Sequence, residues 1–173
     1  MGEMIGRDAV EVRAATSTDS EVLGRYGAAL MALHHDLDCK RFVEATARTP
    51  SMYAEYLKRQ SGQDGSLVLV AEREKAVVGY VFAQIEGPDY MALRGPAGVI
   101  QDIFVEPSHR GNGAGRALLD AALRWIAESG SPRVVLSTAY ANDVAQRLFK
   151  SAGLRFTMVE MTGDFADVEQ VIE

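Results

Sequence analysis

Residues 99–119 read VIQDIFVEPSHRGNGAGRALL. The first seven are nearly all apolar, interrupted by Gln101 and Asp102, as suits a central strand covered on both faces; Pro107 ends the run because proline cannot extend a ladder. Leu118 and Leu119 then begin an apolar stripe that continues through Ala122, Leu123 and Ile126 at helical spacing. Between the strand and the stripe stand Gly111, Gly113 and Gly115, bracketed by Arg110 and Arg116. So bare a backbone at the start of a helix needs a physical reason.

Backbone N–H groups in the first turn of a helix have no intrahelical partner, and the helix dipole adds roughly half a positive charge there. An anion is welcome at such an end, and a diphosphate reaches several of these N–H groups only where no Cβ stands in the way. The glycines remove that obstruction, and the two arginines offer guanidinium groups to phosphate oxygens. Other phosphate loops fit worse. No Gly-Lys-Ser/Thr follows the glycines as a P-loop requires, and Arg116 holds the last position of the dinucleotide fingerprint G-x-G-x-x-G. Taken alone, the glycines are equally consistent with a plain turn.

Working outward, Val10 to Arg13 alternates as a half-buried strand. Thr18 with Glu21 has capping-box spacing, and Val22, Leu23, Tyr26, Ala29, Leu30 and Leu33 follow on one helical face. His34 to Arg48 is mixed, and Pro50 to Gln60 is helical again. Leu67 to Ala71 and Ala76 to Ile85, parted by the charged turn Glu72 to Lys75, form a hairpin, and Gly87 to Gly98 is a loop. After the helix come a buried strand at Val134 to Ser137, a second stripe through Val144, Ala145, Leu148, Phe149 and Ala152, and a last strand at Arg155 to Thr162. The order β-α-α-β-β-β-α-β-α-β implies an α/β (α+β) fold, one mixed sheet covered by helices.

The 173 residues, 47% of them hydrophobic, suit one domain with one core. A net charge of −6 speaks against a nucleic-acid partner and mildly for a cationic or amine-bearing one. Cys39 is the only cysteine, which excludes an intrachain disulfide, fits a reducing cytoplasm and is expected to be a thiol of the core. No apolar run approaches a membrane span and Met1 to Arg7 lacks a signal peptide's apolar centre, so a soluble, unprocessed chain is expected.

The stretch resembles the GCN5-related N-acetyltransferase (GNAT) superfamily. The acetyl-CoA signature Q/R-x-x-G-x-G/A is met by Arg110, Gly113 and Gly115, after IFVEP and before RALL. Downstream, NDVAQRLFKSAGLRF resembles the N-x-x-A-x-x-x-[YF] helix through Asn142, Ala145, Phe149 and Gly153. The resemblance spans about residues 67–162 and implies a mostly antiparallel sheet with helices on both faces, whose central strand splays from the next one. It further implies that backbone groups of Ile103, Phe104 and Val105 hold the pantetheine arm of acetyl-CoA. The loop Arg110, Gly111, Asn112, Gly113, Ala114, Gly115 and Arg116 would hold the pyrophosphate, with Asn142 and Phe149 beside the arm. No metal is implied, and a homodimer is a family-level expectation.

The implied reaction is direct attack of an amine on the thioester. An amine of pKa ~10.4 is more than ~99.9% protonated at neutral pH, a deficit of roughly 4–5 kcal/mol that a base or a desolvating site must supply. Asp102, one residue before the proposed thioester-binding segment, is the chosen base, against the alternative of a structural hydrogen bond. Glu86 and Asp89 are rivals, and His34 and His35 are candidates for the acceptor pocket's lining. Many relatives place a tyrosine where Phe149 stands, so the proton for the leaving thiolate lacks its usual donor; Tyr140 is the candidate substitute. Asn142 also suits a helix N-cap. Two other readings stay open: a non-catalytic acyl-CoA sensor, and a nucleotide-binding α/β protein.

Overall fold

The structure is a computed structural model and describes residues 9–165. Five strands, β1 (Glu11–Ala14), β2 (Ser66–Arg73), β3 (Ala76–Glu86), β4 (Ala97–Val105) and β5 (Val134–Leu136), lie side by side in chain order. The first four are antiparallel and β5 is parallel to β4. Helices α1 (Ser20–Leu37) and α2 (Thr49–Gln60) precede β2, and α3 (Ala114–Glu128) and α4 (Asp143–Ser151) flank β5 in sequence. The expected mixed, mostly antiparallel sheet is what forms.

Strand alternation sorts β3 and β4 into two cores. Val81, Ala83 and Ile100 face Leu118, Leu119, Ala122 and Ile126 of α3 and Phe149 of α4, whereas Tyr80, Phe82 and Phe104 face Leu23 and Tyr26 of α1 and Leu57 of α2. Every one of these side chains is buried. Along β3 odd and even residues face opposite sides, whereas in β4 Ile100 and Phe104 lie on opposite faces because an extra residue at Gln101 shifts the alternation; Asp102 shares its face with Phe104, toward α1 and α2.

The β2–β3 hairpin turns at Glu74 and Lys75, which take φ of 50° and 66°. Both lie in the left-handed region that a two-residue type I′ turn demands, which explains a turn built without glycine only in that the flanking register holds it. β4 carries an irregularity opposite Phe82 and Ala83: Phe82 pairs with Asp102 but Ala83 with Ile100, leaving Gln101 as the extra residue of a bulge.

Three local expectations are corrected. The pair that organises the start of α1 is Thr16 with Asp19, not Thr18 with Glu21: Asp19 accepts the Thr16 N–H at 2.7 Å and is held by Arg13 at 2.8 and 3.0 Å, so the helix starts after a short 3-10 turn. Cys39 is exposed just beyond α1, outside the core. Residues 155–162 are not a strand; their alternating pattern finds no neighbouring strand to pair with, and Phe156, Met158, Val159 and Met161 are exposed. That segment is instead tied to the chain beyond α1 by the ion pairs Arg41–Glu160 and Lys40–Asp164.

Candidate active site

β4 and β5 pair over three residues only, Gly98 with Val134, Val99 with Val135 and Ile100 with Leu136. Beyond Ile100 the two strands part, so residues 101–105 have no strand on that side among the described residues. The opening is the expected splay, and it forms a cavity of about 420 Å³. Ile103, Phe104 and Val105 line one wall, Leu136, Ser137 and Thr138 the other, and Asn142, Ala145, Leu148 and Phe149 close it from α4.

The glycine loop forms the cavity's far end. Gly111 and Gly113 take φ of 78° and 86°, a region that side chains rarely adopt, and a Cβ at either would meet nothing within 4 Å. Both glycines line the cavity, so such a methyl would take up part of its open space. Gly113 is the N-cap of α3, and the first intrahelical bond there is Ala117 N–H to Gly113 C=O at 2.9 Å. The N–H groups of Ala114, Gly115 and Arg116 thus lack helical acceptors. Gly115 serves a different purpose: it adopts helical conformation, and an added Cβ would sit 3.4 Å from Leu148.

The flanking arginines are held ready rather than free. Arg110 Nε donates to the Val105 carbonyl at 2.9 Å, with its guanidinium 5.7 Å from the Phe104 ring centre. Arg116 pairs with Asp120 at 2.8 Å and reaches the Ser151 carbonyl at 3.3 Å, both in solvent, where such pairs contribute little and exchange easily. Asn112 is exposed and Ala114 packs its methyl into the core; neither lines the cavity. Asn142 caps α4, accepting the Ala145 N–H at 3.2 Å, and still borders the cavity.

A second, smaller cavity of about 200 Å³ opens on the α1 side, and it shares Leu30, His34 and Asp102 with the first. Asp102 therefore stands where the two meet. Its carboxylate accepts the hydroxyls of Tyr53 at 3.0 Å and Tyr80 at 3.1 Å. Burial raises its pKa above the ordinary carboxylate value, while the two tyrosine hydrogen bonds and the nearby His34 pull in the other direction without cancelling the rise. The same burial and the Asp102 charge push both phenols up, so they remain hydrogen-bond donors.

Tyr53 and Tyr80 were not among the residues singled out from sequence. Gly24 and Gly27 of α1 make room for Tyr53's helix: a Cβ at Gly27 would lie 2.0 Å from the Tyr53 ring, and one at Gly24 would lie 2.2 Å from the Pro50 carbonyl. Two glycines three apart let α2 press against α1 and aim the phenol at β4.

The rivals for the base sit elsewhere. Glu86 is paired with Arg94 at 2.6 Å, Asp89 accepts the N–H groups of Met91 and Ala92, and neither lines either of these two cavities. His34 lines both cavities, with Nδ1 2.9 Å from the Leu30 carbonyl, whereas His35 is bonded to the Phe42 carbonyl and lines neither. Tyr140 is 93% exposed and is not part of the cavity's lining; only its carbonyl is engaged, by Gln146. Phe149 is buried against the cavity with no proton to donate.

The acetyltransferase (GNAT) family profile matches residues 30–154. The chain belongs to the GNAT family. Among curated relatives, it is 38% identical over 106 residues to a mycothiol acetyltransferase of Thermobispora bispora, covering 57% of this chain and 34% of that protein. It is 31% identical over 118 residues to human N-acetyltransferase 8B, covering 68% of this chain and 50% of that protein. The chain thus spans between a third and a half of the length of these relatives. A solved structure of a predicted acetyltransferase with acetyl-CoA from Clostridium acetobutylicum superposes with a TM-score of 0.69 over 91% of this chain and 97% of that one, at 16% identity. A Bacillus halodurans protein superposes at 0.78 over 90% of this chain and 99% of that one, at 20% identity. These likenesses carry the fold. Among the described residues no helix is long and apolar enough to cross a membrane, and no cluster of His, Cys, Asp and Glu could hold a metal ion.

Proposed function

We propose that the chain is an N-acetyltransferase that moves an acetyl group from acetyl-CoA directly to an amine. The observation that carries this reading is the junction of the two cavities at Asp102, one bounded by a splayed strand and a glycine-built helix start, the other by α1 and the chain beyond it. Bound acetyl-CoA would supply the acetyl group as an activated thioester. The residues present suit it: open space at Gly111 and Gly113, unpartnered N–H groups at 114–116, and a strand edge at 103–105 that adds hydrogen bonds to an extended ligand. Arg110 and Arg116 would turn from their present partners to phosphate oxygens, a charge-assisted exchange that favours the more highly charged anion.

Asp102 is the base in this reading. It must be ionised to accept a proton, and a carboxylate whose pKa is raised by burial is a better acceptor than one in water, because burial penalises its charged form. Tyr53 and Tyr80 fix the carboxylate's orientation, and their hydrogen bonds favour its charged form against the effect of burial. The same apolar surroundings favour the neutral amine over the ammonium ion and so share the deprotonation cost. With phenylalanine at 149 and Tyr140 in solvent, the departing thiolate takes its proton from water, which is tolerable for a group of pKa ~8.5.

Thiol release from acetyl-CoA in the presence of an amine panel tests the reading. Amine-dependent release with formation of the acetamide is expected. Tight CoA binding without amine-dependent release would support the sensor alternative, and stabilisation by ATP or NAD rather than CoA would support a nucleotide-binding protein.

A further inference from the structure

We infer that the acceptor is an amine on an apolar body, aliphatic or aromatic, with a single cationic centre. This rests on the acetyl-transfer reading and deepens it at the smaller cavity. Leu30 and Met31 of α1 and Phe42 and Val43 of the following segment make its walls, and Asp102 is the one carboxylate that lines it. Of its remaining polar groups, Tyr53 donates to Asp102, and His34 is bonded through Nδ1 to the Leu30 carbonyl, with its ring edge-on to Phe42, 5.0 Å between centres.

The acidic residues that make the sequence look receptive to a polycation do not serve this cavity. Asp36 is exposed, Asp38 accepts the N–H groups of Lys40 and Arg41, Glu86 is spent on Arg94, and Asp89 closes its own turn. Beside the Phe42 wall stands a cation, Arg41, stacked 4.9 Å from the Phe42 ring centre and paired with Glu160. A polyamine or aminosugar would set its second and third ammonium groups against leucine, methionine, phenylalanine and valine, and an unpaired buried charge is heavily penalised. An apolar body meets the opposite situation, since its burial there is favourable. At about 30 Å³ per water-sized group, 200 Å³ holds roughly six heavy atoms, the size of a branched aliphatic or small aromatic group. The amine would sit at Asp102, where the cavities join, with its body directed toward Phe42 and Val43.

The test uses the full chain with saturating acetyl-CoA and compares isoamylamine and phenethylamine with spermidine and an aminoglycoside. Thiol release gives kcat/KM, and calorimetry on the CoA-bound protein gives affinity. At least a tenfold preference for the apolar amines is expected in both. Val43→Asp, a change at an exposed rim position, is expected to raise KM for the apolar amines about tenfold with little change in kcat and to narrow the gap to spermidine. Equal or better use of the polycations, or an unaltered preference in V43D, would overturn the inference while leaving acetyl transfer intact. Preferential binding of apolar amines without any thiol release would uphold it and overturn the transfer reading instead.

Discussion

The α3–α4 side of the sheet and the α1–α2 side both contribute to the site around β4, yet they are built by opposite means. On the first, function is proposed to lie in the backbone: a strand edge left bare after Ile100, and amides exposed by Gly111 and Gly113. On the second it lies in side chains from separate elements, Tyr53 of α2, Tyr80 of β3 and Asp102 of β4, meeting within 3.1 Å. A backbone site must spend particular residue types, glycines above all, and so writes itself into a short stretch of sequence. A side-chain site uses residues that elsewhere are ordinary core, and only the assembled fold brings them together.

That contrast predicts a clean division of effects. Asp102→Asn is expected to lower kcat by ~10²–10⁴-fold with CoA affinity unchanged, since it removes the base while keeping the side chain's shape where the two cavities meet. Thermal denaturation should show that this variant is no less stable at neutral pH. Because burial raises the folded-state pKa of Asp102, the folded protein binds its proton more tightly than the unfolded chain does, and stability from this group falls as pH rises through that pKa. The neutral amide escapes that penalty.

Gly113→Ala should do the reverse, weakening CoA by about tenfold, or ~1.4 kcal/mol, while kcat at saturating acetyl-CoA stays near the wild-type value. The left-handed backbone at φ 86° adds a stability cost of ~1–2 kcal/mol, visible in the melting temperature. Gly115→Ala sharpens the point: its Cβ meets Leu148 at 3.4 Å in helical backbone, so affinity should change by less than about threefold.

Tyr53→Phe is expected to have a smaller effect on rate but an informative one on pH. Its hydrogen bond lowers the Asp102 pKa, so its loss lets burial raise that pKa further and moves the acidic limb of the kcat profile to higher pH. An unmoved limb would separate Asp102 from the rate. Tyr140→Phe should change neither kcat nor CoA affinity, because the ring stands in solvent away from both cavities; a measurable loss of kcat would restore it as the proton donor.

The same contrast explains what could be read from the sequence. The strand-glycine-helix run of 99–119, the hairpin around Glu74 and Lys75 and the stripe of α4 each depend on neighbours in the chain, and each forms where the pattern puts it. Asp102 was readable as a candidate because it lies beside the splay, but its tyrosine partners come from 49 and 22 residues away. Gly24 and Gly27, which let α1 and α2 cross closely and deliver Tyr53, carry no mark in the sequence that sets them apart from other helical glycines. Phe42 and Val43 fall in a segment with no periodicity, where position is set by the elements it spans. The alternation at 155–162 misled for the same reason: a strand needs an adjacent edge as well as a pattern, and the pattern alone cannot supply one.

Amide chemical-shift perturbation on titrating the labelled protein with coenzyme A measures directly where the ligand meets the backbone. Shifts concentrated at 103–105 and 111–116, with the titration midpoint moved to about tenfold higher ligand concentration in the Gly113→Ala variant, are the expected result. Saturation by coenzyme A with those amides unmoved and others shifting would contradict it.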